Sequence, residues 1–128
     1  MTDKHKTILI AEDEEDLRDM YTMSLKSKGF EVLQAVNGIE AMEWLERDYA
    51  RIDMILLDVV MPGMDGFETL KRIKENEKFS RIPVIIITNL DNDEDMKQAS
   101  ENGVDAYFVK SKHIPADLAE EIRKILEK

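Results

Sequence analysis

The sequence predicts an α/β fold built on a parallel sheet, and three observations carry that prediction. Short β-rich runs alternate with longer helical patterns, five alternations in all, as repeated βαβ units require. The runs Ile8-Leu9-Ile10-Ala11, Met54-Ile55-Leu56-Leu57 and Val84-Ile85-Ile86-Ile87 are apolar throughout, the mark of strands buried on both faces. Each run then ends in a polar or ionisable group: Glu12-Asp13, Asp58 and Thr88, joined by Lys110 after Ala106-Tyr107-Phe108-Val109. Open parallel sheets place their ligand crevice at these carboxyl ends, so three carboxylates, a hydroxyl and an ammonium converge on one rim. Such an inventory suits a divalent cation and a phosphoryl group.

The elements follow from period and punctuation. After the first strand, Leu17, Met20, Tyr21 and Leu25 share one face of a helix from about Glu15 to Lys28, which Gly29 closes. The run Glu31 to Ala35 alternates less cleanly, as an edge or near-edge strand does. Asn37-Gly38 turns the chain into a helix from Ile39 to about Arg47, with Ile39, Met42 and Leu45 as its stripe and Trp44 beside it. Met54 to Asp58 is almost wholly apolar and therefore central. The segment Met61-Pro62-Gly63-Met64-Asp65-Gly66 demands a loop before a helix carrying Phe67, Leu70 and Ile73. Pro83 introduces the fourth strand, and a more polar helix from about Asp93 to Glu101 stops at Asn102-Gly103. The last helix begins near Pro115 and turns Leu118, Ile122, Ile125 and Leu126 inward.

A chain of 128 residues with 43% hydrophobic composition supports one core, so residues 1–128 are expected to form a single domain with no output domain attached. No apolar run reaches the roughly 18 residues of a membrane span, and the polar start from Met1 to Lys6 lacks a secretory signal, which predicts a cytoplasmic location. The absence of cysteine excludes disulfides, thiolate metal sites and thiol catalysis. A formal net charge of -10 repels a phosphate backbone and argues against direct nucleic-acid binding.

The rim has its own electrostatic logic. Two like charges about 4 Å apart repel by roughly 4 kcal/mol at an effective dielectric of about 20, while a whole domain is stable by about 5 to 15 kcal/mol. Crowding Glu12, Asp13 and Asp58 therefore calls for a cation, and hard oxygen ligands point to Mg2+. Against this stands the plainer reading of acids favoured at helix N-termini. Asp58, alone at the end of the most buried run, has the chemistry of a nucleophile toward phosphorus. Lys110 supplies a flexible positive charge for phosphate, and Thr88 a hydroxyl donor, although a β-branched threonine also simply suits a strand.

Taken in order, Ile8-Leu9-Ile10-Ala11-Glu12-Asp13, Leu57-Asp58-Val59-Val60-Met61-Pro62-Gly63-Met64-Asp65-Gly66, Ile86-Ile87-Thr88 and Tyr107-Phe108-Val109-Lys110 resemble the receiver domains of two-component response regulators, like the single-domain chemotaxis and sporulation-phosphorelay regulators. The resemblance implies a flavodoxin-like (βα)5 fold, a doubly wound sheet in strand order 2-1-3-4-5 with helices on both faces. It implies Asp58 as phosphoacceptor, Glu12, Asp13, Asp58 and the Val60 carbonyl as Mg2+ ligands, and Lys110 and Thr88 as contacts of the phosphoryl oxygens. Thr88 and Tyr107 would form the switch, Tyr107 turning inward as Thr88 moves. The implied phosphodonor is a histidine kinase or histidine phosphotransfer protein. The implied target is a protein that reads the face made by the fourth helix, fifth strand and fifth helix, on a monomer or weak homodimer. Catalysis would be limited to the domain's own phosphorylation and dephosphorylation.

Two departures from the family pattern stand out. Glu12 replaces the commoner aspartate, and Ser111 rather than proline follows Lys110. Asn89 and Leu90 after Thr88, with Val59 and Val60 after Asp58, flank the phosphoryl site and govern water access. Val60 has no base to orient water, which predicts slow to moderate self-dephosphorylation. A Mg2+-dependent aspartyl phosphohydrolase is the enzymatic alternative, weakened because Val60 occupies the place where that chemistry puts a second aspartate. A receiver-like interaction module that works without phosphorylation is the other, and it has no need of the full set Asp13, Asp58, Thr88 and Lys110.

Overall fold

Strands β1 (Thr7–Ala11), β2 (Glu31–Ala35), β3 (Met54–Leu57), β4 (Val84–Thr88) and β5 (Ala106–Val109) form one five-stranded sheet in the order β2-β1-β3-β4-β5, in a computed structural model that describes residues 5–127. All four pairings are parallel. Helices α1 (Glu15–Ser27), α2 (Gly38–Asp48), α3 (Gly66–Glu75), α4 (Asp93–Glu101) and α5 (Pro115–Leu126) connect them. The α/β class, the parallel sheet and the strand order are those expected. No helix among the described residues is long and apolar enough to cross a membrane.

Strand alternation divides the core in two. Leu9, Ala11, Ile55, Leu57, Val84 and Ile86 face one layer with Ala41 and Leu45 of α2, Leu70 and Ile73 of α3 and Ala99 of α4. Ile8, Ile10, Met54, Leu56, Ile85 and Ile87 face the other, against Tyr21 and Leu25 of α1 and Leu118 and Ile122 of α5. Fully burying each of the Val, Leu, Ile and Met side chains among these is worth about 1.5 to 3 kcal/mol, so the three central strands are the rigid frame on which the rim is mounted. Topology reverses between β1 and β3, and open α/β sheets bind ligands at such a switch point.

Local chemistry sets the element ends. Asn37 and Asp65 cap α2 and α3, accepting the N–H groups of Glu40 and Glu68 at 2.9 Å each. Gly29, at φ +96, ends α1 in the left-handed conformation that side chains disfavour. Two predicted stripes are rotated. Met20 is 39% exposed and Ile39 48% exposed, whereas Thr22 and Ala41 are buried. Small or hydroxyl-bearing residues weigh little in a pattern read from large apolar ones, so the seam shifts by a position or two around each helix.

The connections after β3 and β5 shape the site. A Cβ on Gly66 would lie 2.2 Å from the Asp58 carbonyl oxygen, and the Gly66 N–H donates to the Val59 carbonyl at 2.9 Å. Only glycine lets the chain fold back so tightly behind Asp58. After β5, Lys110–Lys112 form a short 3-10 turn, and the Lys110-Ser111 peptide is trans. A non-proline residue gains nothing from the cis bond, which costs about 2.5 to 4 kcal/mol.

Candidate phosphoryl and metal site

The site lies at the carboxyl edge of β1, β3, β4 and β5. Glu12 and Asp13 follow β1, Asp58 follows β3, Thr88 ends β4 and Lys110 follows β5. One carboxylate oxygen each from Glu12, Asp13 and Asp58 lies within 4.8 Å of the others. Lys110 Nζ donates to Asp58 Oδ2 at 3.1 Å and also hydrogen-bonds Glu12 Oε1. The cleft above them, about 170 Å³, is lined by Asp13, Asp58, Val60, Thr88 and Lys110. Residues from four separate stretches of chain thus meet as the sequence led us to expect.

Burial makes this grouping electrostatically demanding. Glu12 is fully buried and Asp58 is 6% exposed, while Asp13 faces solvent. Burial pushes the Glu12 carboxyl above the usual glutamate range; the Lys110 hydrogen bond opposes that push and the Asp58 charge adds to it. For Lys110, burial alone would lower the pKa. The hydrogen bond to Glu12 and the charges of Asp58 and Glu12 outweigh it and leave the ammonium above its ordinary value. Lys110 is therefore a fixed positive charge at neutral pH.

The donor set fits a small hard cation. Mg2+ takes oxygen ligands at about 2.0 to 2.1 Å, and the three carboxylates, with oxygens within 4.8 Å of one another, would need to draw only modestly closer to share one ion. Asp13, exposed, has freedom to make it. Both oxygens of Glu12 already accept hydrogen bonds, one from Lys110 and one from the Glu14 N–H at 3.1 Å. Its first duty is to hold the lysine.

Thr88 is 1% exposed, and its Oγ1 accepts the Leu90 N–H at 3.2 Å. The Tyr107 hydroxyl donates to the Leu90 carbonyl at 2.7 Å, and the half-buried ring packs against the α2–α3–α4 side of the core. Burial, with the Asp95 and Asp91 charges behind it, raises the Tyr107 pKa. Both residues singled out as a switch thus hold the same backbone residue, which sequence reasoning did not reveal. Leu17 and Glu14, at the start of α1, also line the cleft. The sequence placed Leu17 in the core stripe; its position within the first turn of α1, directly after the acid pair, was the available signal.

Comparison with known proteins gives the family. The family model described as "Response regulator receiver domain" matches residues 8–123. The DNA-binding dual master transcriptional regulator RpaA of Synechocystis is 31% identical over 118 residues, covering 92% of this chain and 46% of RpaA. The chain thus spans about half the length of that curated relative. The chemotaxis protein CheY4 of Vibrio cholerae superposes with a TM-score of 0.87 at 27% identity, covering 95% of this chain and 99% of CheY4. The phosphorylated cyanobacterial phytochrome response regulator RcpA superposes with a TM-score of 0.81 at 31% identity, covering 97% and 93%. By the family model that matches nearly its whole length and by its strand order, the chain belongs to the response regulator receiver domain family.

Proposed function

We propose that this receiver domain accepts a phosphoryl group on Asp58 from a phosphohistidine donor, in the presence of Mg2+, and passes the signal on through a protein-binding face. The observation that carries this reading is Lys110 Nζ at 3.1 Å from Asp58 Oδ2, inside an acid trio whose oxygens lie within 4.8 Å. Asp13, Asp58 and the Val60 carbonyl are the direct metal-ligand candidates, with Glu12 behind them. Mg2+ bound there would neutralise charge on the transferring group.

The remaining work belongs to the chain itself. The Asp58 carboxylate attacks phosphorus as the bond to the donor imidazole breaks. Lys110, oriented by Glu12, meets the phosphoryl oxygens without having to be recruited from solvent, which is preorganised electrostatic stabilisation. Thr88 turns its hydroxyl toward a phosphoryl oxygen and releases the Leu90 N–H. Tyr107 holds the Leu90 carbonyl, so a change at Thr88 is felt by the connection leading into α4. A pre-existing equilibrium of that connection is then biased by phosphorylation.

The partners this reading implies are a histidine kinase or histidine phosphotransfer protein and a downstream protein docking on α4, β5 and α5, in the cytoplasm. The phosphorylated state of RcpA supports the phosphoacceptor role by likeness. A Phos-tag gel of the protein incubated with acetyl phosphate and Mg2+ tests it. A shifted band in the wild type and none in Asp58→Asn is expected; equal behaviour of the two overturns the reading.

A further inference from the structure

The connection from β4 to α4 fixes one side chain whose chemistry is unused. Thr88, before Asn89, is buried in β4. Leu90, after it, is tied through its N–H to Thr88 at 3.2 Å and through its carbonyl to Tyr107 at 2.7 Å. Asp91 pairs with Lys112 at 3.0 Å, joining this connection to the turn after β5. Asn89 itself is exposed and lines the cleft with Asp58, Thr88 and Lys110. Carrying the parallel register of Thr88 with Val109 one residue further sets Asn89 beside Lys110.

Its carboxamide makes no hydrogen bond among the described residues, while the neighbouring groups are committed or unsuited. Lys110 and Thr88 hold Glu12, Asp58 and the Leu90 N–H in the resting site, and in the reading above both are engaged by phosphoryl oxygens once Asp58 is phosphorylated. Val60, 62% exposed, and Leu17 offer only hydrocarbon side chains to the cleft. Asp13 and Glu14 carry the same sign of charge as a phosphoryl group.

We propose that the Asn89 carboxamide positions the water that hydrolyses the phosphoryl group on Asp58, and so sets the lifetime of the signal; this rests on the phosphoacceptor reading above. In that step the water oxygen bonds to phosphorus as the bond from phosphorus to the Asp58 oxygen breaks. The bonding pair leaves with the carboxylate, and both protons of the water depart with the inorganic phosphate. A carboxamide is too weak a base to take the proton. Its carbonyl accepts, and its amino group donates, a hydrogen bond that holds water in line, as a glutamine side chain does in GTP hydrolysis.

The test follows acyl-phosphate decay. The full chain is phosphorylated with acetyl phosphate and Mg2+, freed of donor, and the phosphorylated fraction is followed on Phos-tag gels for wild type, Asn89→Leu, Asn89→Ala and Asn89→Gln. Leucine keeps the size of asparagine without its amide, so Asn89→Leu and Asn89→Ala should both lengthen the half-life about tenfold, as loss of one directed transition-state hydrogen bond would. Asn89→Gln should recover part of the wild-type rate. A side chain that only screens the cleft gives another pattern, with faster decay in Asn89→Ala and no change in Asn89→Leu. That pattern, or equal decay in all four proteins, overturns the proposal. If the wild type takes up no phosphoryl group, or Asp58→Asn takes up as much, the phosphoacceptor reading itself falls, and the proposal with it.

Discussion

Lys110 Nζ lies 3.1 Å from Asp58 Oδ2 although the two residues are 52 positions apart, and the same ammonium reaches the fully buried Glu12. The lysine side chain is 8% exposed, so these are low-dielectric contacts. Removing one partner of a buried pair typically costs about 3 to 5 kcal/mol, because the other is left as an uncompensated charge. Lys110→Met should therefore lower unfolding stability by an amount on the order of 3 kcal/mol. Glu12→Gln combined with it should recover part of that loss. Urea denaturation of the two single variants and the double variant measures the coupling; additive losses would show that the pair does not act as a unit.

Crowding of the acid trio predicts a metal-linked stability. Like charges whose nearest oxygens lie within 4.8 Å of one another repel by roughly 3 to 4 kcal/mol at an effective dielectric of about 20, less where solvent screens Asp13. Asp13→Asn should stabilise the protein in EDTA by on the order of 1 kcal/mol. Mg2+ should raise the melting temperature of the wild type, since a ligand that binds only the folded state stabilises it by RT ln(1 + [L]/Kd). Differential scanning fluorimetry with and without Mg2+ is the check, and an equal Mg2+ response in Asp13→Asn would count against the ligand assignment.

Tyr107 gives a prediction at alkaline pH. Burial, then the Asp95 and Asp91 charges, raise its pKa above the ordinary tyrosine value. A group whose folded pKa is raised contributes stability that is fully present below its unfolded pKa, about 10, and is lost as pH rises through the folded value. The neutral hydroxyl is also what donates to Leu90 at 2.7 Å. Wild-type stability should therefore decline at alkaline pH beyond pH 10 more steeply than that of Tyr107→Phe. Ultraviolet titration of tyrosinate should show one late-ionising tyrosine fewer in the variant, with Tyr21, also raised by burial, remaining.

Gly66 predicts the cost of altering the backbone behind the site. A Cβ there would meet the Asp58 carbonyl oxygen at 2.2 Å and Val59 Cα at 2.8 Å, both backbone atoms with no rotamer to yield. Gly66→Ala should cost about 1 to 3 kcal/mol as overpacking does and shift Asp58 relative to Lys110. Amide chemical-shift changes at Asp58 and Lys110, beside a lowered denaturation midpoint, would report it. A variant with wild-type stability would show that the loop adapts freely.

Much of this was legible because the decisive residues sit at places where sequence and geometry coincide. Buried parallel strands are apolar without interruption, so their ends are marked by the first polar residue, and Glu12, Asp58, Thr88 and Lys110 were found that way. The order of the strands followed from the family likeness and not from pattern, since hydrophobic runs alone do not say which strand neighbours which. The inward seams of α1 and α2 were misjudged by a position or two because Thr22 and Ala41 are buried where Met20 and Ile39 are not. The link from Thr88 through Leu90 to Tyr107 was invisible because it runs through backbone groups. The role of Glu12 as partner of Lys110 likewise needed coordinates, since 98 positions separate the two.

Cation-assisted acceptance of a phosphoryl group at Asp58 is tested most directly by peptide mapping with mass spectrometry. The protein is incubated with acetyl phosphate in Mg2+ or in EDTA, digested, and searched for the phosphorylated carboxylate. A single phosphoryl group on the peptide containing Asp58, present with Mg2+ and lost with EDTA, is predicted. Phosphorylation elsewhere, none at all, or uptake at Asp58 that is indifferent to EDTA would contradict it.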